Sequence, residues 1–213
     1  MADEDRRTDR LRRRWDRVSG SYDGIMTPAD QRFFGDTRQW VCGQATGEVL
    51  EVAIGTGLNL VHYPAGARLT GVEFSPGMLA LARRRATDLD RAVDLREGDA
   101  QALDLPDAAY DTVVCTFGLC AIPDDRKALA EMDRVLRPGG LLLLADHVAA
   151  GPWPLRAVQW LAELVSVPMA GEYWRRRPIR HVEAMGYMIE RHDRFRLGIV
   201  ERLAARKPTA GTS

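Results

Sequence analysis

Short apolar runs alternate along the chain with segments whose apolar residues recur three and four apart. The runs near 48–53, 68–73, 92–97, 111–116 and 140–146 read as strands bounded by glycine, proline and aspartate. The segments near 57–62, 76–87 and 124–136 between them read as helices, and Asp124 and Asp125 stand where carboxylates cap free N–H groups. Two more helices, 5–19 and 29–43, precede the first strand. Such alternation with short connections predicts an α/β fold, a parallel sheet with helices on both faces. Right-handed crossovers put a ligand at the C-terminal edge of its strands. Segments 187–194 and 197–206 read as a closing hairpin, which leaves 150–185 as an insertion lying over that edge.

Composition sets bounds on this picture. A chain of 213 residues, 46% hydrophobic, buries one α/β core and is short for two. The expected organisation is one domain over 1–207, with a helical cap at 1–43, a lid at 150–185 and a disordered tail at 208–213. Thirty basic and thirty acidic residues cancel, so no global field recruits nucleic acid. Three cysteines (Cys42, Cys115, Cys120) without metal spacing fit a reducing cytoplasm. With no signal peptide and no apolar run long enough to span a bilayer, the expectation is a cytoplasmic protein with at most peripheral membrane contact.

The candidate chemistry begins where the first strand ends. Gly55-Thr56-Gly57 makes a tight turn, and sixteen residues after Gly57 the second apolar run ends in Glu73. A glycine turn after one strand and an acid at the tip of the next is how doubly wound proteins hold an adenosine, the acid accepting ribose hydroxyls. A dinucleotide fingerprint would need glycine at position 60, where Leu60 stands. Glu51, just before the turn, would repel a pyrophosphate and suits a sulfonium and an α-amino group. These residues favour S-adenosylmethionine over NAD.

The motifs together resemble the class I S-adenosylmethionine-dependent methyltransferases. Glu51, Ala53, Gly55, Thr56 and Gly57 match the family's glycine loop, with Ala53 standing at its first glycine. Leu69 to Met78, including Glu73 and Phe74, matches the ribose motif. Gly98 to Gln101, with Asp99 and Ala100, matches the adenine loop. Asp111 to Cys115 matches the fourth strand, and Val135 to Gly140 the turn into the fifth. Tyr22-Asp23 resembles the pair whose tyrosine closes over the methionine part of the cofactor. The resemblance implies a Rossmann-like, seven-stranded, mostly parallel sheet. It implies a cofactor site of Tyr22, Glu51, Ala53, Gly55, Thr56, Gly57, Glu73, Phe74, Met78, Asp99, Ala100 and Phe117. Ala53 is expected to be tolerated provided its φ is negative.

Phe117-Gly118-Leu119-Cys120 and Asp146-His147-Val148 narrow the match. They are similar to bacterial phosphatidylethanolamine N-methyltransferases and animal methyltransferase-like thiol methyltransferases, and more distantly to the C-methyltransferases of quinone biosynthesis. His147 beside Asp146 is the candidate general base, Cys120 a small buried hydrophobe. His62, His181 and His192 have no ligand constellation, and no metal is expected. Arginines of the first helix, Arg6 to Arg17, are nearly cancelled by its acids, and Leu11, Trp15 and Val18 form a narrow stripe for packing on the domain. The insertion is apolar (Trp153, Leu155, Val158, Trp160, Leu161, Leu164, Val165, Val167, Met169), and core packing should claim at least half of these residues. An apolar lid implies an apolar small acceptor; Arg175, Arg176 and Arg177 read as a solvated face. The function expected is methylation of such an acceptor, with a thiol favoured over an amine, a phenol or a phospholipid. The reading from another class is a non-methylating S-adenosylmethionine binder.

Overall fold

The computed structural model describes residues 2–209, so residues 210–213 of the expected tail, and the side chains of Arg6 and Arg7, lie outside that description. Seven strands form one sheet in the order β3-β2-β1-β4-β5-β7-β6. These are β1 (Glu48–Val52), β2 (Arg68–Glu73), β3 (Val93–Glu97), β4 (Tyr110–Thr116), β5 (Leu136–His147), β6 (Met188–Phe195) and β7 (Val200–Arg206). The pairings among β1 to β5 are parallel, and β7 inserts antiparallel between β5 and β6. The helices are α1 (Ala2–Ala29), α2 (Thr37–Cys42), α3 (Pro76–Asp88), α4 (Asp125–Val135), α5 (Trp153–Ala170) and α6 (Pro178–Ala184).

The central strands are apolar on both faces because both are covered. Leu50, Val113 and Leu142 point into the layer of α4 and α6 with Leu129, Met132 and Val182. Their neighbours Val49, Val114 and Leu143 point the other way, against Val41 and Cys42 of α2 and Ala86 of α3. Asp124 caps α4 as expected from its position, its carboxylate accepting from the N–H groups of Arg126 and Lys127.

Three expectations fail. The first two helices are not separate pieces at 5–19 and 29–43. α1 runs unbroken through Gly20 and Gly24 and widens into a π-helical turn over Asp30–Phe34 before the short α2. Tertiary anchors override the poor helix propensity of glycine here: Asp16 accepts from Ser75 Oγ (2.6 Å) and Gly77 N (2.9 Å), and Asp23 from Thr56 Oγ1 (2.6 Å). Second, the helix expected over 57–62 is a single 3₁₀ turn, Leu60–His62. Gly57 has φ +79°, and the Asn59 side chain is drawn into the sheet by Glu51 and Thr116. Pro64 then forces Tyr63 into an extended conformation.

Third, α5 does not bury its apolar residues. Trp153, Val158, Trp160, Leu161, Leu164, Val165 and Met169 are exposed, leaving Leu155 and Val167 half-buried. Of the arginines that follow it, Arg175 is exposed as expected and Arg176 is not. Arg175 pairs with Glu163, while Arg176 donates to the carbonyls of Leu119, Ile122 and Pro123 and stacks 4.0 Å from the centre of the Tyr173 ring. That bracing fixes the β4–α4 loop at the C-terminal edge of the sheet.

Candidate cofactor and acceptor site

At the edge where β1 and β2 end, one buried carboxylate ties two turns together. Glu73 Oε2 accepts from Gly55 N at 3.0 Å and Oε1 from Ser75 N at 2.9 Å. Burial pushes the Glu73 carboxyl up, against the pull of those N–H groups. Each oxygen keeps a further lone pair for a ligand hydroxyl. Beside Gly55, with φ +59°, no atom comes within 4 Å of where a Cβ would stand, so the turn presents open space on its backbone.

That space belongs to a cavity at the C-terminal edge of the sheet. Its floor is Ala53, Gly55, Thr56, Glu73, Phe74 and Met78; one wall is Asp99, Ala100 and Gln101; another is Thr116, Phe117 and Gly118. Trp15 and Tyr22 of α1 form the roof. The cavity therefore gathers Tyr22, Ala53, Gly55, Thr56, Glu73, Phe74, Met78, Asp99, Ala100 and Phe117 from the expected set. It does not gather Glu51, Gly57, Asp146 or His147.

Glu51 is corrected from a cavity residue to a buried structural acid. Asn59 Nδ2 donates to it at 2.6 Å and Tyr63 Oη at 2.9 Å, and burial raises its pKa to about 7 against both donors. Gly57 acts by geometry: a Cβ there would lie 2.9 Å from Leu60 Cδ1. In place of Glu51, the cavity receives Arg38, which sequence reasoning missed. Arg38 Nε donates to Asp30 (2.7 Å) and Nη1 to Asn59 Oδ1 (2.9 Å), and its guanidinium stands 5.0 Å from the centre of the Phe117 ring. Nothing in the sequence marks this arginine among twenty-eight; only the π-helical turn and α2 bring it to the sheet edge.

Asp146 and His147 lie behind Phe117. The Asp146 carboxylate accepts from Cys120 N (2.9 Å) and from His147 N (2.7 Å), and it is 3.7 Å from His147 Nδ1, beyond hydrogen-bond range. It positions the β5 end and the β4 loop rather than the imidazole. The His147 ring instead packs against Phe34 (5.0 Å between centres) and Phe117 (5.2 Å). Cys120, Asp146 and His147 have ligand-type atoms within 4.8 Å of one another. Burial raises the Cys120 thiol well above its usual range, keeping it a protonated, unreactive packing group. Phe117 holds φ +52°, a left-handed conformation that a bulky residue adopts only where its surroundings enforce it.

The family model described as a methyltransferase domain matches residues 50–144. The chain is similar to phosphatidylethanolamine N-methyltransferase of Cereibacter sphaeroides, 42% identical over 53% of this chain and 57% of that protein. It is similar to demethylmenaquinone methyltransferase of Renibacterium salmoninarum, 38% identical over 70% of this chain and 64% of the other. A third relative is a thiol S-methyltransferase of Homo sapiens, 34% identical over 64% and 60%. The aligned region thus spans about three fifths of these relatives' length. Among solved structures, a methyltransferase of Thermotoga maritima, described as a possible histamine N-methyltransferase, superposes with TM-score 0.69 at 19% identity, covering 91% of this chain and 98% of that one. The [4+2]-cyclase SpnF gives 0.64 at 20% identity, covering 82% and 80%. At these identities the likeness is one of fold. The strand order, with a glycine turn after β1 and an acid at the tip of β2, is that of a Rossmann-like fold. Residues 50–144 thus resemble a methyltransferase domain, and S-adenosylmethionine is the cofactor that resemblance implies.

Two residues of the expected motifs, Ala53 and Gly118, lie against each other. Ala53 has φ +56°, not the negative value expected, and a Cβ at Gly118 would lie 3.0 Å from Ala53 Cβ and 3.0 Å from Cys115 Sγ. Gly118→Ala should therefore destabilise the fold by about 1–3 kcal/mol through overpacking. Ala53→Gly should stabilise it by about 1 kcal/mol through relief of the left-handed alanine. The double variant should recover part of the Gly118→Ala loss, and urea unfolding of the four proteins measures the coupling.

Glu51 sets a pH dependence. Its carboxyl stays protonated in the folded protein up to about pH 7, whereas in the unfolded chain it ionises near ~4.3. Between those values the folded state holds the extra proton, so stability falls as pH rises through that window and levels off above it. Glu51→Gln should flatten this fall by up to roughly 3 kcal/mol, as read from urea midpoints between pH 4.5 and pH 8.

Proposed function

We propose that this protein transfers the methyl group of S-adenosylmethionine to a small, largely apolar acceptor. The observation that carries this reading is Glu73 at the cavity floor, fixed by two backbone amides with lone pairs to spare beside an open glycine turn. In this reading Glu73 holds the ribose, Asp99 and Ala100 face the adenine, and the Arg38 guanidinium takes the carboxylate of the methionine part. The bound cofactor supplies a sulfonium methyl for in-line displacement. The protein's share is to orient the reactants and exclude water, and Trp15, Tyr22 and Phe117 do so from above and from the side.

The acceptor site in this reading is the aromatic cluster of Phe34, Phe117 and His147, backed by Val200, Met26 and Phe195. Its apolar character suits an apolar acceptor. His147 is the one imidazole in that cluster, and its Nδ1 stands 3.7 Å from Asp146, too far to donate a hydrogen bond to it. A base with so little support favours a nucleophile that ionises near neutral pH, and a thiol does so more readily than a phenol or alcohol. Relatives named for thiol, amine-lipid and quinone methylation are all compatible with this cluster, and the chemistry of the base puts the thiol first.

Glu73→Ala should weaken S-adenosylmethionine binding at least about tenfold, since charge-assisted hydrogen bonds contribute roughly 1.5–3 kcal/mol. Calorimetry on a variant with unchanged circular dichroism checks this, and unchanged affinity sinks the assignment. Incubation with aryl and alkyl thiols, amines and phenols, read as S-adenosylhomocysteine release, tests the acceptor. Release with an amine or phenol and none with thiols rejects the thiol. No release with any class, alongside tight cofactor binding, favours a non-methylating binder on the same fold.

A further inference from the structure

α5 is an amphipathic helix turned inside out. Its inward face carries the polar residues: Gln159 Oε1 accepts from Ala150 N (2.8 Å) and Nε2 donates to Val148 O (3.0 Å). Glu163 accepts from Arg175 N (2.8 Å), and Ser166 Oγ donates to Glu172 O (3.0 Å). Its outward face is apolar over about 27 Å of helix. Trp153 is 73% exposed, Leu164 58% and Met169 68%, and Arg156 is the one exposed charge on the helix. A globular surface helix is built the other way round, with its apolar stripe toward the core. A continuous apolar patch of this extent marks a surface that something apolar covers. α5 lines no part of the cofactor cavity, so that covering is not the cofactor. Among the described residues no helix is long and apolar enough to cross a membrane, which leaves docking along a surface.

Both ends of the patch are basic. At the N-terminal end, Gly151 N donates to the carbonyl of exposed Leu197, and neighbouring Arg196 donates to the carbonyls of Arg32 and Phe33. Leu197 and Phe33 extend the apolar surface there, and Arg32, Arg156 and Arg196 are exposed around it. At the C-terminal end, Arg14 of α1 donates to Met169 O and Leu11 packs at Gly171. Exposed Arg10 and Arg17 share that face of α1 with Arg14. Two copies pairing through α5, parallel or antiparallel, would bring basic ends together. An anionic bilayer answers both the apolar face and its basic ends.

We propose that the outward face of α5, with Leu197 and Phe33 beside it, docks this protein on anionic lipid bilayers. The helix lies in the headgroup plane, with Trp153 and Trp160 at the depth tryptophans favour. The loop bearing Leu197 continues into Val200, and Phe33 into Phe34, both members of the aromatic cluster. A docked protein would therefore hold that cluster next to the lipid surface.

The test is co-sedimentation of the full chain with vesicles of phosphatidylglycerol and phosphatidylcholine in equal parts, and of phosphatidylcholine alone. The variants are Leu161→Glu/Leu164→Glu and Arg10→Gln/Arg17→Gln. The parent should bind the anionic vesicles, weaken with added salt, and shift its tryptophan emission to the blue. The double-glutamate variant should lose about tenfold or more in vesicle affinity, and the double-glutamine variant should lose affinity for anionic vesicles selectively. Both should keep the parent's S-adenosylmethionine affinity, which certifies the fold and separates this test from that of the catalytic reading. Failure of the parent to bind either vesicle overturns the proposal. So does sedimentation of the parent as a dimer that the double-glutamate variant dissociates, since the face would then be covered by a second copy.

Discussion

The hydrogen bonds from Gly55 N and Ser75 N to the buried Glu73 carboxylate are the contact on which the rest of the site depends. A parallel sheet covered on both faces exposes backbone groups to a ligand only at its edge, where strands stop and turns begin. Glu73 joins the turn after β1 to the turn after β2 and so fixes the width of the cavity floor. The same carboxylate orders Ser75, whose hydroxyl accepts from Met78 N and donates to Asp16 of α1. One acid thereby links floor, α3 and roof.

A second polar network supports the opposite wall. Glu51, Tyr63, Asn59, Thr116, Arg38 and Asp30 form a chain of hydrogen bonds from beneath β1 to the π-helical turn. In low dielectric such a chain is stabilising only when its members are satisfied together. Its function is geometric: it converts the buried acid that precedes the glycine turn into a mount for a cation that does face the cavity. The basic residue of the cavity, Arg38, thus comes from the N-terminal cap, and its acids are Glu73 at the tip of β2 and Asp99 after β3.

Two left-handed residues stand where the two networks meet. Ala53 and Phe117 both hold left-handed backbone, one at the end of β1 and the other at the end of β4. Phe117 N donates to Ala145 O at 2.7 Å, and its ring is held by Phe34, His147 and Arg38, so the conformation is enforced from several sides. Gly118 follows because Ala53 occupies the space that a side chain there would need. The neighbouring α5 is built on the opposite principle, satisfying its polar groups inward and leaving its apolar face to its surroundings.

The sequence by itself determined what local chemistry determines. Short apolar runs bounded by turn residues specified the strands, and the Gly55-Thr56-Gly57 step specified the turn after β1. A lone acid at the end of β2 pointed to the carboxylate that lines the cavity, and the closing hairpin was legible as two strands at the end of the chain. It did not determine whether Gly20 and Gly24 break α1, because Asp16 and Asp23 find their partners more than thirty residues away. Nor did it determine that 57–62 forms a 3₁₀ turn, because the pull on Asn59 comes from Glu51 and Thr116 of neighbouring strands. Arg38 and the orientation of α5 were equally hidden. Periodicity reports that a helix has an apolar face; which way that face turns is decided by where Gln159, Glu163 and Ser166 find hydrogen-bond partners, and those partners exist only once the chain has folded.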